Sequence, residues 1–179
     1  DADIIGLTGY VIHKQRIFEL AAAFRQRGKF VVAGGPFASL CPEELRDKVD
    51  VLFVDEAEYT WPAFLNDYAT GNWQTEYRQV EKPSMHDSPL PRFDLLQIDQ
   101  YRTMTIQFAR GCPFNCEFCD IIVMYGRRPR TKAVAQVMAE VEEIHRLGLR
   151  NVFVVDDNFI GNKKEAKALL HALAEWQKE

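Results

Sequence analysis

The stretch that decides the fold is Arg110-Gly111-Cys112-Pro113-Phe114-Asn115-Cys116-Glu117-Phe118-Cys119-Asp120, which contains three of the four cysteines of the chain. A thiolate is a soft ligand that suits zinc, copper(I) or an iron–sulfur cluster. Gly111 and Pro113 suit a loop around one centre, because glycine frees φ and proline fixes it. Structural zinc sites and ordinary iron–sulfur clusters take four protein ligands, whereas this loop supplies three. The spacing therefore predicts a metal centre with one open position, which is what catalysis needs.

The C-x3-C-x2-C spacing, with Phe118 before the last cysteine, resembles the signature of the radical S-adenosylmethionine (radical SAM) enzymes. The resemblance implies a 4Fe–4S cluster held by Cys112, Cys116 and Cys119 as metal-binding and catalytic residues. It also implies that S-adenosylmethionine binds the fourth iron, with Phe118 packed near the adenine. A zinc knuckle or a redox pair is the alternative. Zinc would need a distant fourth ligand such as a histidine, since no other His or Cys follows within twenty residues.

Composition places the chain among ordinary soluble globular proteins. It has 179 residues, of which 47% are hydrophobic and 27% charged. The net charge of −4 gives no basic footprint, so no nucleic-acid partner is expected. No apolar run approaches the roughly 20 residues of a transmembrane segment. Clustered cysteines without a disulfide-like distribution predict a reducing, cytoplasmic location. Because the chain lacks an initiator Met and stops inside a predicted helix, we expect a fragment of a longer protein.

The first part of the chain alternates predicted strands with predicted helices, which indicates a parallel sheet. The strands fall at 3–7, 30–33 and 50–54, and the helices near 17–24, 42–44 and 58–68. Ligands of such sheets bind beyond the carboxyl ends of the strands. The loops found there are Thr8-Gly9-Tyr10, Gly34-Gly35-Pro36 and Asp55-Glu56-Ala57-Glu58. They are either cofactor-binding loops or tight turns.

Gly6-Leu7-Thr8-Gly9-Tyr10, followed later by Gly34-Gly35, is similar to the middle of a cobalamin-binding domain. The resemblance implies cobalamin contacts from Thr8, Gly9, Tyr10, Gly34, Gly35, Pro36 and Glu56. Two departures stand against it. The loop whose histidine ligates cobalt is absent, and Val54-Asp55-Glu56-Ala57-Glu58 replaces a Gly-Glu-rich loop.

The second part begins after a proline-rich linker predicted at 71–101. A strand at 103–109 runs into the cysteine loop, a helix follows near 134–144, and a buried strand at 151–155 leads to Asp156-Asp157-Asn158-Phe159 and a last helix from about residue 163. In a parallel barrel the loops after both strands open on one face, so Asp156, Asp157 and Asn158 are predicted to orient S-adenosylmethionine. A helix cap with a turn is the alternative.

The basic run Arg127-Arg128-Pro129-Arg130-Thr131-Lys132 has two interpretations. It is either a solvated face or a group of cations that neutralises an anionic substrate or the carboxylate of S-adenosylmethionine.

Together these patterns predict an α/β chain with a partial Rossmann-like cobalamin-binding domain at 1–70, a linker at 71–101 and the start of a radical SAM partial (β/α) barrel at 102–179. The whole stretch resembles the cobalamin-binding radical SAM enzymes, and among them the hopanoid C-2 methyltransferase subgroup. That resemblance implies methyl transfer to an unactivated carbon with a 4Fe–4S cluster, S-adenosylmethionine and cobalamin. It further implies a small-molecule substrate such as a lipid or isoprenoid and an electron donor such as flavodoxin or ferredoxin. Another radical SAM reaction, such as ring formation or methylthio transfer, and a non-enzymatic metal-binding module stay as alternatives.

Overall fold

The computed structural model describes residues 2–178 and divides the chain into two compact units. The first unit ends at Pro83 and the second begins at Ser84. The boundary falls inside the stretch predicted as a linker, so residues 71–83 belong to the first unit and 84–101 to the second. The linker prediction missed a short strand in the first of these pieces, because only three of its residues take part in the sheet.

The first unit is a four-stranded sheet in the order β1-β2-β3-β4, with all neighbours parallel. Its elements are β1 (Ile4–Thr8), a 3-10 turn (Val11–His13), α1 (Lys14–Gln26), β2 (Phe30–Gly34), α2 (Gly35–Leu40), a 3-10 turn (Pro42–Glu44), β3 (Val51–Val54), α3 (Thr60–Thr70) and β4 (Glu76–Arg78). The three predicted strands are confirmed. The helix α2 was not predicted; its Pro36 lies in the first turn, where proline costs no hydrogen bond.

Because successive side chains of a strand point to opposite faces of the sheet, this sheet has a hydrophobic core on each face. On one face α1 and α2 cover Val31 and Leu52, with Phe37 fully buried among them. On the other face α3 brings Phe64 against Phe53 with ring centroids 5.3 Å apart. Helices on both faces of a parallel sheet are the expected arrangement, because neither face of such a sheet is left to solvent.

The second unit contains two small ladders and two long helices. Its elements are 3-10 turns (Met85–Asp87, Phe93–Leu95 and Ile98–Gln100), β5 (Met104–Ile106), β6 (Ala109–Arg110), α4 (Ile121–Met124), β7 (Arg130–Thr131), α5 (Val134–Arg146), β8 (Val152–Val154) and α6 (Lys163–Trp176). β5 pairs with β8 in parallel, and β6 pairs with β7 antiparallel. The apolar stripe of α5 and the inner face of α6 bury Phe108 and Leu169 in one core.

Two expectations for this unit were wrong. The strand predicted at 103–109 is split, because the chain leaves the β5 ladder after Ile106 and joins a different one at Ala109. The strand predicted as buried at 151–155 is exposed, with Phe153 at 62%. The reason is that Val154 packs against the core formed with α5 and α6, so the neighbouring Phe153 points to the opposite face of the strand, which is exposed. No helix within residues 2–178 has the length and apolar character needed to span a membrane.

Candidate functional site

The cysteine loop leaves the end of β6 and is anchored at its first residues. The backbone N–H of Cys112 donates to the carbonyl of Gly126 at 3.2 Å. Gly111 has a φ of 91°, and a Cβ at that position would lie 3.0 Å from the carbonyl oxygens of Gly126 and Arg128. Glycine is therefore required here both by the left-handed backbone and by the close approach of a second chain segment.

The three thiols of this loop are free, and the loop is open to solvent. Cys112 and Cys119 are half-buried and Cys116 is exposed. Phe118, predicted to pack near an adenine, has 88% of its surface exposed. Among residues 2–178 no three His, Cys, Asp or Glu side chains stand close enough together to hold a metal ion. Three free thiols on an exposed loop have the donor chemistry that an iron–sulfur cluster requires, and binding requires the loop to close around the metal.

The zinc alternative would need a distant fourth ligand, and His145 is one of the two histidines nearest the cysteine loop in sequence. The ring of His145 packs edge-on against Trp176, with ring centroids 5.3 Å apart. This contact assigns His145 to the packing of α5 against α6.

The loop after β8 lies directly against the start of the cysteine loop, as predicted for loops that follow two strands of a parallel barrel. The Oδ1 atom of Asp156 accepts a hydrogen bond from the backbone N–H of Phe108 at 2.7 Å. The Oδ2 atom of Asp157 accepts one from the backbone N–H of Gly111 at 3.0 Å. The amide of Asn158 donates to the sulfur of Cys112 at 3.5 Å. The three side chains thus hold the segment that leads into the cysteine loop.

One atom of this loop is left for another partner. The Oδ2 atom of Asp156 is buried and has no hydrogen-bond partner. Burial raises the pKa of Asp156, and the nearby backbone N–H groups of Ala109 and Phe108 lower it, although only that of Phe108 makes a well-formed hydrogen bond to the carboxylate. A buried oxygen without a partner costs free energy unless a donor satisfies it. The contact of this loop with S-adenosylmethionine stays a prediction.

The basic run is not a uniform solvated face. Arg130 and Thr131 form β7, and the Nη2 atom of Arg130 donates to the carbonyl of Tyr125 at 3.3 Å. The ammonium of Lys132 makes a buried salt bridge with Glu140 of α5. Lys132 is therefore engaged inside the fold, which removes it from the cations expected to meet an anionic ligand.

Glu140 was missed by the sequence analysis. Burial raises its pKa, and the hydrogen bond and charge of Lys132 act in the opposite direction. The signal was present in the sequence, because Glu140 stands between Val137, Val141 and Ile144 on the apolar stripe of α5. An acidic residue in such a stripe needs a buried partner.

In the first unit, the loops after β1 and β2 meet at the carboxyl edge of the sheet. Thr8 and Gly34 are opposite each other in the β1–β2 register. Gly35 has a φ of 82°, and a Cβ there would collide with the hydroxyl of Thr8. The backbone N–H of Phe37 donates to the carbonyl of Gly9 at 3.0 Å. The absence of a side chain at Gly35 therefore makes room for Thr8. Packing within the sheet is by itself a reason for glycine at this position.

The loops at the carboxyl edge of this sheet differ in exposure: the residues after β1 are exposed, and Glu56 after β3 is buried. Tyr10, Val11 and Ile12 are exposed, with Ile12 at 83%. Glu56 is buried, and the preceding Asp55 has a φ of 68°. Within the fold the carboxylate of Asp55 pairs with Lys82 at 3.4 Å and Arg78 at 3.9 Å, and its backbone N–H donates to the hydroxyl of Ser39 at 2.9 Å. The contacts predicted between these loops and cobalamin stay predictions.

Comparison with known proteins gives a family match for the second unit. Residues 106–178 match the radical SAM superfamily. An uncharacterized methyltransferase of Synechocystis is 45% identical over 180 residues, which cover 99% of this chain and 34% of the relative. The hopanoid C-2 methylase of Rhodopseudomonas palustris is 34% identical over 182 residues, with the same two shares. The chain therefore spans about a third of the length of these relatives.

A solved structure supports the fold. The radical S-adenosylmethionine methyltransferase TsrM from Kitasatospora setae, with tryptophan and a SAM analogue bound, matches with a TM-score of 0.81 at 16% identity. The match covers 99% of this chain and 41% of that chain. It confirms the α/β class with a parallel sheet. A second structure of TsrM contains cobalamin and a [4Fe-4S] cluster.

Proposed function

From the match of residues 106–178 to the radical SAM superfamily, we propose that the protein is a radical SAM methyltransferase that uses a 4Fe–4S cluster, S-adenosylmethionine and cobalamin. The observation that carries the proposal is the contact between the cysteine loop and the loop after β8. The names of the relatives, which include a hopanoid C-2 methylase, support methyl transfer.

In this proposal Cys112, Cys116 and Cys119 hold the cluster, which when bound supplies an electron to S-adenosylmethionine. The chain itself orients the site. Asp157 fixes Gly111 and so sets the direction in which the cysteine loop leaves β6. The exposed ring of Phe118 offers an apolar surface to the adenine.

Asp156 contributes an acceptor to S-adenosylmethionine. One of its oxygens is bonded to Phe108, and the other is buried without a partner. The ammonium of the methionyl group is a donor of the right charge for that oxygen. Asp156→Asn keeps the size of the side chain and an oxygen for Phe108, so we expect normal folding and iron content with weaker binding of S-adenosylmethionine. Unchanged binding would remove Asp156 from the ligand set.

Cobalamin is proposed to bind beyond the strands of the first unit, at Thr8, Gly9, Tyr10, Gly34, Gly35, Pro36 and Glu56. The exposed apolar residues Tyr10 to Ile12 support this, because they offer an uncovered surface for a large planar ligand. The substrate is a small molecule, which we propose to be a lipid or isoprenoid, and the electron donor a flavodoxin or ferredoxin.

The test is anaerobic reconstitution of the full-length protein with iron and sulfide. We expect about four irons per chain, as for a cysteine-held cubane. With cobalamin and substrate, 5′-deoxyadenosine and S-adenosylhomocysteine should form in roughly equal amounts, because one S-adenosylmethionine serves as radical source and a second remethylates cobalamin.

Cys116→Ala should lose the cluster and stop the formation of 5′-deoxyadenosine altogether. The matched control is Cys41→Ala, because Cys41 is the fourth cysteine and packs against the core of the first unit. Deoxyadenosine without S-adenosylhomocysteine would exclude methyl transfer and leave radical chemistry. One tightly held zinc with no uptake of iron would contradict the enzyme proposal.

A further inference from the structure

We infer that Asn158 is a positioning residue that donates a hydrogen bond to the thiolate of Cys112 and thereby raises the reduction potential of the cluster. The inference rests on the proposed function, since it concerns the cluster that the cysteine loop would hold. It adds a role for Asn158 that S-adenosylmethionine binding does not require.

The geometry comes from consecutive side chains that contact one segment. Asp156 and Asp157 bond to the backbone N–H groups of Phe108 and Gly111, both through carboxylate oxygens. The next side chain, Asn158, reaches the sulfur of Cys112, with 3.5 Å between Nδ2 and Sγ. The path of the chain after β8 thus places the side-chain amide of Asn158 beside Cys112, the first of the three predicted cluster ligands.

The backbone around Asn158 is fixed as well. Its carbonyl accepts a hydrogen bond from the N–H of Gly161 at 3.0 Å, which closes a turn. A Cβ at Gly161 would come within 2.9 Å of the ring of Pro129 and 3.1 Å of the carbonyl of Asn158. Since this turn has no room to shift toward Pro129, the backbone from which the amide of Asn158 projects is held in place.

The chemistry decides which end of the amide faces the sulfur. A thiolate is an acceptor, so the NH2 group of Asn158 is favoured there and the carbonyl oxygen is repelled. A hydrogen bond to a ligand sulfur stabilises the reduced cluster more than the oxidised one, because reduction adds negative charge. Hydrogen bonds to the atoms that ligate a metal tune its properties in this way.

The experiment is a redox titration of the reconstituted full-length protein without S-adenosylmethionine, followed by electron paramagnetic resonance of the reduced cluster. Asn158→Leu removes the donor and should shift the one-electron equilibrium about tenfold toward the oxidised cluster, which corresponds to about 59 mV. Asn158→Asp has nearly the same shape and adds a negative charge, so its shift should be larger in the same direction.

Asn151→Leu is the matched control. Asn151 lies at the other end of β8, and its side-chain amide donates to the carbonyl of Arg102 and not to a cysteine. This variant should leave the potential unchanged. If Asn158→Leu fails to hold iron, Asn158→Ala, which also removes the donor and adds no charge, carries the test. A wild-type potential in the Asn158 variant that retains its cluster would overturn the inference and leave the proposed function intact. A wild-type protein that takes up no cluster would instead refute the proposed function.

Discussion

Replacing Lys132 with methionine should destabilise the second unit by about 3–5 kcal/mol at neutral pH, as expected when one partner of a buried ion pair is removed. The side chains of Lys132 and Glu140 are 7% and 3% exposed, so solvent cannot stabilise the carboxylate that is left behind. Methionine fills a similar volume, which keeps the loss of packing small. The backbone N–H of Lys132, which donates to Phe108 at 2.8 Å, is unaffected by the change.

The loss should depend on pH with a defined sign. Burial raises the pKa of Glu140 above its ordinary value of 4.5, so ionisation of this carboxyl favours the unfolded chain. Without Lys132 the attraction that lowers the pKa is gone, and the folded-state pKa rises further. The stability of Lys132→Met should therefore fall as the pH rises above about 4.5, and adding Glu140→Gln should remove most of that dependence.

The assay is urea unfolding followed by the fluorescence of Trp176, with Trp61 and Trp73 replaced by phenylalanine so that one tryptophan reports the second unit. Arg146→Met is the matched control. Arg146 pairs with Glu143 on the same helix but is 67% exposed, so its loss should leave the free energy of unfolding nearly unchanged. Equal losses for the two variants, or a pH-independent loss for Lys132→Met, would refute the argument from burial.

Three glycine substitutions give further tests. Gly35→Ala should lower the free energy of unfolding of the first unit by roughly 1–3 kcal/mol, because its φ is positive and the new Cβ collides with Thr8. In chemical denaturation, adding Thr8→Ala to the same chain should recover part of that loss. Additive losses for the two substitutions would contradict the contact. Gly111→Ala should lower the iron content after reconstitution, since two carbonyl oxygens lie 3.0 Å from the added Cβ, and a wild-type iron content would contradict this. Gly34→Ala should fold normally, because the φ of Gly34 is −152° and the added Cβ would lie 3.4 Å from Phe53, an ordinary van der Waals contact. It should bind cobalamin more weakly, because the new methyl group occupies the proposed ligand surface. Unchanged affinity would remove Gly34 from the predicted contacts.

Local sequence determined the elements and carried the prediction of a metal-binding loop. The apolar runs before Thr8 and Gly34 and the stripe along α5 predicted strands and a helix that the structure contains. Each depends on neighbours a few residues away, through the period of the strand or helix. The spacing of the cysteines similarly predicted a three-thiolate site, because the distance between ligands on one loop is set by the loop itself.

Only the tertiary structure decided the partners of side chains far apart in sequence. Lys132 belonged to a basic run and Glu140 to a helix stripe, and their pairing required the residue that follows β7 to lie against α5. Likewise Gly35 was a loop glycine in the sequence, and the register of β1 with β2 brought Thr8 onto it. The hydrogen bond from Asn158 to Cys112 joins residues that are 46 apart, and it exists because β5 and β8 are parallel neighbours. Periodicity indicates which face of an element is buried, but packing alone determines what that face meets.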